Sequence, residues 1–212
     1  MLINLLFSEP IFFFLWILAV VYAITLHEFS HVLAAYLMGD NTGKHMGRLT
    51  LNPLAHLDWL GMLMLVFVGF GWGNAAPYNP YNLKYKKWGS ALVAVAGPLS
   101  NLLSLVFFGL AFKFLRLYTN LPPDNLLLQF LMFLALVNVA LLLFNLIPVP
   151  PLDGSHILFA VLPDRFNEFK YRLAHNGPMV LVFLVVLDSF LPGFSLFGSL
   201  FSWAWNLVYF LF

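Results

Sequence analysis

Two histidines four residues apart, His27 and His31, with Glu28 directly after the first, have the spacing of a metal-activated hydrolytic site. On a helix, residues four apart share a face, so both imidazoles can bind one ion while Glu28 points beside it at a bound water. The segment lies inside an apolar stretch from Ile11 to about Met38, long enough to cross a hydrocarbon core of roughly 30 Å. The chemistry implied is hydrolysis at membrane depth. A catalytic zinc usually takes three protein ligands and keeps one position for water. The chain has no cysteine, so the third ligand must be His, Asp or Glu. Asp153, in the run Asn145-Leu146-Ile147-Pro148-Val149-Pro150-Pro151-Leu152-Asp153-Gly154, is the best candidate. Its prolines end an apolar run and bring a carboxylate to the same side of the membrane.

The composition says what carries this site. Of 212 residues, 62% are hydrophobic and 9% charged, with 24 phenylalanines; this is an integral membrane protein rather than a soluble domain. A net charge of +1 with no basic block excludes a nucleic-acid surface. The apolar stretch after Pro10 is too long for a signal-peptide core and contains His27 and Glu28, so it reads as a retained span. No soluble insertion interrupts the chain, and residues 1–212 read as a single membrane-embedded domain, with a catalytic core at about 11–160 and accessory C-terminal helices at about 176–212.

Apolar runs predict crossing helices at about 11–38, 88–112 and 126–147, and two further passes from about 178 to the end, broken at Leu191-Pro192-Gly193-Phe194. The expected fold is all-α and polytopic, with about five transmembrane helices. Gly61 to Phe70 is too short to cross, and with glycines at 69, 71 and 73 it is expected to form a re-entrant hairpin or loop after the first span. Lys44, Arg48, Lys84, Lys86, Lys87, Arg165, Lys170 and Arg172 fall on one side of these spans, and only Lys113 and Arg116 on the other. The positive-inside rule then puts the N-terminus outside and the site toward the cytoplasm.

Other polar residues have simpler readings. His56 and Asp58 could serve as alternative ligands, but they follow Pro53 near a turn and are expected to make interfacial hydrogen bonds. His156, three residues after Asp153, could approach the metal but is expected to cap or orient local backbone, and His45 and His175 to sit solvated in polar loops. Asn138 reads as an interhelical hydrogen-bonder, Asp188 as a boundary charge, and Trp203 with Trp205 as interface anchors. Asn101, after Gly97-Pro98, either stabilises packing at a kinked helix or faces substrate.

Two separated motifs, His27 to His31 and Asn145, Pro148 with Leu152-Asp153-Gly154, closely resemble the signatures of the site-2 protease family of intramembrane zinc metalloproteases. Further resemblance lies in Gly47-Arg48-Leu49-Thr50-Leu51-Asn52-Pro53 with His56 and Asp58, in Gly69-Phe70-Gly71-Trp72-Gly73, and in Ala96-Gly97-Pro98-Leu99-Ser100-Asn101. It covers roughly residues 15 to 160 and is similar to the small subgroup without PDZ or CBS domains. Where many relatives carry Lys-Pro-Val after the glycine-rich loop, this chain has Asn74-Ala75-Ala76-Pro77.

The resemblance implies one Zn2+ ion on His27, His31 and Asp153, Glu28 as base and then acid, and Asn145 as donor to the oxyanion. It implies cleavage within transmembrane segments of membrane-anchored proteins, in a prokaryotic cell membrane. An unwound substrate strand would pair with backbone around Gly69, Gly71 and Gly73, with Asn101 as a further contact. A membrane metal-ion transporter is the rival, but no inverted repeat supports it; a non-catalytic binder of membrane proteins is the other.

Overall fold

Apolar runs without water to satisfy their backbone must close their own hydrogen bonds, and here they do so as helices. A computed structural model describes residues 2–190 and 195–212. Helix α1 (Leu2–Ser8) leads into α2 (Pro10–Leu37), which begins on a proline whose missing N–H costs no hydrogen bond there. Then come α3 (Thr42–His45), α4 (Trp59–Val68), α5 (Gly89–Tyr118), α6 (Leu126–Asn145), α7 (Asp153–Val161), α8 (Asn167–Phe190) and α9 (Leu196–Leu211). There is no strand among the described residues, only an isolated antiparallel bridge between Leu57 and Gly73.

Three helices, α2, α5 and α6, are long and apolar enough to cross a membrane, and they pack on one another. Ala19, Val20, Ala23 and Ile24 of α2 meet Leu131, Leu134 and Val137 of α6. Leu105 of α5 meets Ala135, Leu136 and Val139 of α6, with Ala204 and Val208 of α9 closing the same cluster. Small residues at these seams let the backbones approach, which matters where lipid gives no hydrophobic drive for helices to associate. Alternating direction brings the end of α2, the start of α5 and the end of α6 to one side of the bundle.

The first and third expected spans have nearly the bounds read from sequence. The second is longer: α5 continues to Tyr118, so Lys113 and Arg116 are exposed on its last turns, where long side chains reach for water. Helix α8 begins at Asn167, ahead of the apolar region, and carries the exposed Glu168–Arg172 pair; His175 is exposed on it, and His45 on α3, so both are solvated as expected but on helices rather than in loops. The expected break at 191–194 lies outside the described residues.

Gly61 to Phe70 differs from expectation. Most of it is helix α4, started by Asp58, whose Oδ1 accepts from Gly61 N–H at 2.7 Å, and ended at Gly69 in the left-handed region at φ 91°. The glycines do not make a β-hairpin; they let the chain turn and run back against the helix. A Cβ on Gly61 would lie 2.1 Å from the Trp72 carbonyl oxygen, and one on Gly71 would lie 2.3 Å from that of Gly61.

After α2, Asp40 is 1% exposed and accepts from the Thr42 N–H and hydroxyl, the Asn79 N–H and the Asn82 amide at 2.6–3.2 Å. Burial alone raises a carboxyl, but these donors outweigh it and hold Asp40 below its ordinary value. Asp40 thereby ties the segment leading out of residues 73–78 to the end of α2.

Candidate active site

His27 and His31 lie one turn apart on the same face of α2, both buried. Their rings are locked from behind. His27 Nδ1 is 2.6 Å from Asn101 Oδ1 on α5, and His31 Nδ1 is 2.7 Å from the Val93 carbonyl oxygen. A carbonyl oxygen only accepts, so these partners assign the proton to Nδ1 in both rings and leave each Nε2 with a lone pair. The Asn101 amide is itself oriented, because its Nδ2 donates to Asn138 Oδ1 at 2.8 Å, and Asn138 Nδ2 donates to the Leu134 carbonyl at 2.8 Å. Asn138 is thus the interhelical hydrogen-bonder expected of it.

Both Nε2 atoms face Asp153 at the first position of α7. The two nitrogens are 3.0 Å apart, and Asp153 Oδ2 is 3.2 Å from His27 Nε2 and 3.3 Å from His31 Nε2. Tetrahedral zinc with ligands at about 2.0–2.1 Å needs ligand separations of roughly 3.3–3.4 Å. The fit is close. Three lone-pair donors at such distances repel one another unless a cation occupies their common focus, and Asp153 Oδ2 is buried without a hydrogen bond. Among the described residues these three form the one such cluster of potential ligands. Two imidazoles and a carboxylate suit zinc.

Helix α5 approaches this cluster at Gly97, where a Cβ would lie 2.4 Å from His31 Nε2 and 2.6 Å from His27 Cε1. Sequence reading placed Gly97 only within a motif; its closeness to the two histidines depends on how α5 crosses α2. Glu28, beside the pair, has Oε2 accepting from the Ala76 N–H at 2.8 Å. A cavity of about 160 Å3 joins His27, Glu28, His31, Asn145 and Asp153, with Ala75, Ala76, Tyr78 and His156 in its walls. Asn145 Nδ2 donates to the Leu141 carbonyl at 3.1 Å and, being an NH2, keeps a second hydrogen.

The residues expected to meet substrate are placed unevenly. Asn101 is fully buried and engaged at both ends of its amide behind His27, which corrects its reading as a substrate contact: it has neither exposed surface nor a spare direction to offer. Gly69 and Gly71 serve the turn after α4, and Gly73 lies against α2, where a Cβ would be 3.5 Å from Glu28 Oε1. The cavity wall is formed instead by the following residues, Ala75 and Ala76. His56 is fully buried and bonds the Thr50 carbonyl through Nε2 at 2.7 Å, and Asp58 caps α4; neither joins the cluster.

The Asn101 contact predicts that Asn101→Ala weakens zinc binding by about 10–100-fold, the usual cost of removing a partner that orients a ligating histidine. Competition against a chelator measures this; unchanged affinity would refute it.

A family model described as Peptidase family M50 matches residues 115–187. The chain is 36% identical over 190 residues to a protein of Bacillus subtilis (strain 168) named as a zinc metalloprotease, YwhC, covering 87% of this chain and 84% of that protein. It is 33% identical over 196 residues to Rip2 of Mycobacterium tuberculosis (strain ATCC 25618 / H37Rv), also named as a zinc metalloprotease, covering 90% of this chain and 70% of that one. Over 79 residues it is 43% identical to protease RseP of Photorhabdus luminescens, 34% of each chain. No solved structure matches. With the HExxH helix, the distant aspartate and these likenesses together, the chain belongs to peptidase family M50, the site-2 protease family of intramembrane zinc metalloproteases.

Proposed function

We propose that His27, His31 and Asp153 hold one zinc ion, that Glu28 is the general base and acid, and that the substrates are transmembrane segments of membrane-anchored proteins. The convergence of three lone-pair donors beside a carboxylate at membrane depth carries this reading. Zinc, when bound, supplies Lewis acidity toward the scissile carbonyl and lowers the pKa of water. Glu28 takes a proton from the attacking water as the new C–O bond forms. It returns that proton to the amine as the C–N bond breaks. The free N–H of Asn145 donates to the oxyanion, stabilising charge that appears only in the transition state.

A helical substrate hides its carbonyls in hydrogen bonds, so the cleaved stretch must unwind. We place it alongside the chain that follows α4, from Gly69 to Ala76, taking residues 59–77 as a re-entrant element. Glycine or proline near the cleaved bond should favour unwinding.

Helices α8 and α9 serve in this reading as fourth and fifth spans. The surplus of lysine and arginine on the connections after α2 and α6 supports an external N-terminus and a site facing the cytoplasm. The bacterial sources of the relatives support a prokaryotic cell membrane.

The test is purified protein in liposomes with a single-span model substrate carrying a glycine-proline pair. Cleavage within the span, abolished by a zinc chelator and restored by zinc, is expected. Cleavage that survives full removal of zinc overturns the reading.

A further inference from the structure

Arg48 is a cation where a cation is costly. It follows Gly47 after α3, is 9% exposed, and its Nε is buried with no hydrogen-bond partner among the described residues. Its Nη2 donates to the Asn74 carbonyl and, at 3.3 Å, to the Ala75 carbonyl. A buried guanidinium given mainly carbonyl partners is under-compensated for its lost hydration.

The Ala75 carbonyl and the Ala76 N–H are the two ends of one peptide unit. Arg48 holds its oxygen end, and Glu28 Oε2 receives its N–H end at 2.8 Å. Cation, planar amide and carboxylate therefore stand in series. A positive donor on the carbonyl polarises the amide and strengthens the bond its N–H makes to an anion. The same segment is held on its other side, where the Asn74 N–H donates to the His56 carbonyl at 2.8 Å and Gly73 bridges to Leu57. The Glu28 charge also counteracts the lowering that burial imposes on the guanidinium.

We propose that Arg48 is a positioning residue for Glu28, acting through the Ala75–Ala76 peptide to fix the carboxylate of the base beside the metal ligands. Arg48 touches neither zinc nor substrate. Its loss frees the peptide to tilt, and with it the Glu28 carboxylate. This rests on Glu28 as the base, so one readout must be independent of cleavage.

The experiment compares wild type, Arg48→Met, Arg48→Lys, Ala76→Pro and the double variant Arg48→Met with Ala76→Pro, each as full-length zinc-loaded protein in lipid nanodiscs. Hydrogen exchange at residues 73–78, zinc stoichiometry, and kcat and KM on the single-span model substrate are measured. In Arg48→Met, exchange at 73–78 should rise while the transmembrane helices keep their protection and zinc stays at one per chain. The kcat should fall by about 100-fold, the scale of an ångström-sized misplacement of a reacting group, with KM nearly unchanged. Arg48→Lys should recover part of kcat. Ala76→Pro removes the N–H without touching the charge and should lose a similar factor, and the double variant should lose no more than either single one, since both cut one series.

Unchanged exchange at 73–78 in Arg48→Met overturns the proposal whether or not any substrate is cleaved. So do multiplicative losses in the double variant, or a kcat loss accompanied by zinc loss or exchange throughout the chain. Failure of wild type to cleave bears on Glu28 as base and leaves the exchange result to decide the role of Arg48.

Discussion

Gly97→Ala sharply weakens zinc binding and does not stabilise the helix that carries it. Alanine in place of glycine inside a helix ordinarily stabilises by about 0.5–1 kcal/mol, but Pro98 follows Gly97 inside α5 and disfavours helical geometry for a preceding residue that carries a Cβ. Here the added methyl would stand 2.4 Å from His31 Nε2 and 2.6 Å from His27 Cε1. Those rings are buried and held from behind by Asn101 and the Val93 carbonyl, so the methyl forces the rings or α5 itself out of place. In doing so it moves both nitrogens off their common focus with Asp153 and strains the bonds from Nδ1 to Asn101 and Val93. The apparent affinity for zinc should fall by at least about 100-fold, the upper end of what disturbing the support of metal ligands costs. Zinc content after equilibration with a chelator, read beside the melting temperature of the metal-free protein, checks both halves. Wild-type zinc retention would mean that the close approach of α5 does not shape the site.

Glu28→Gln does the opposite: zinc stays and hydrolysis is lost. The substitution keeps size and shape, and the glutamine carbonyl can still accept from the Ala76 N–H now held at 2.8 Å. His27, His31 and Asp153 are unaltered, so one zinc per chain should remain. What is removed is the group able to take a proton from water and give it back to the amine, and cleavage should fall by about 100- to 10,000-fold. Initial rates on the single-span substrate, normalised to bound zinc, measure it. Residual activity near the wild-type level would remove Glu28 from the reaction. The two variants thus separate the metal from the base, one losing zinc affinity and the other losing chemistry while keeping zinc.

Much of this site was legible in the sequence because its signals are local. The i, i+4 spacing puts His27 and His31 on one face of any helix, and apolar runs of crossing length need no tertiary knowledge to be seen. Chain direction through three spans was enough to return Asp153 to the level of the histidines. Asn138 could be named because a lone amide in an apolar helix needs an interhelical partner.

What the sequence could not show depends on how the elements cross. Gly97 is one glycine among fourteen until α5 passes over α2 close enough to exclude a methyl. Asn101 was divided between packing and substrate, and the helix rotation that buries it behind His27 decides that. Arg48 enters the sequence reading only as a cytoplasmic-side charge and as part of the Gly47–Pro53 motif, because charge counting is blind to which way a side chain turns. The glycines at 69, 71 and 73 suggest a hairpin or loop, whereas a capping aspartate makes most of residues 61–70 a helix and a left-handed Gly69 folds the following chain back on it. Residue spacing along a helix is set by covalent geometry and survives any packing. The distance between residues far apart in the chain exists only once helices have chosen their crossing points, and there the tertiary structure alone decided.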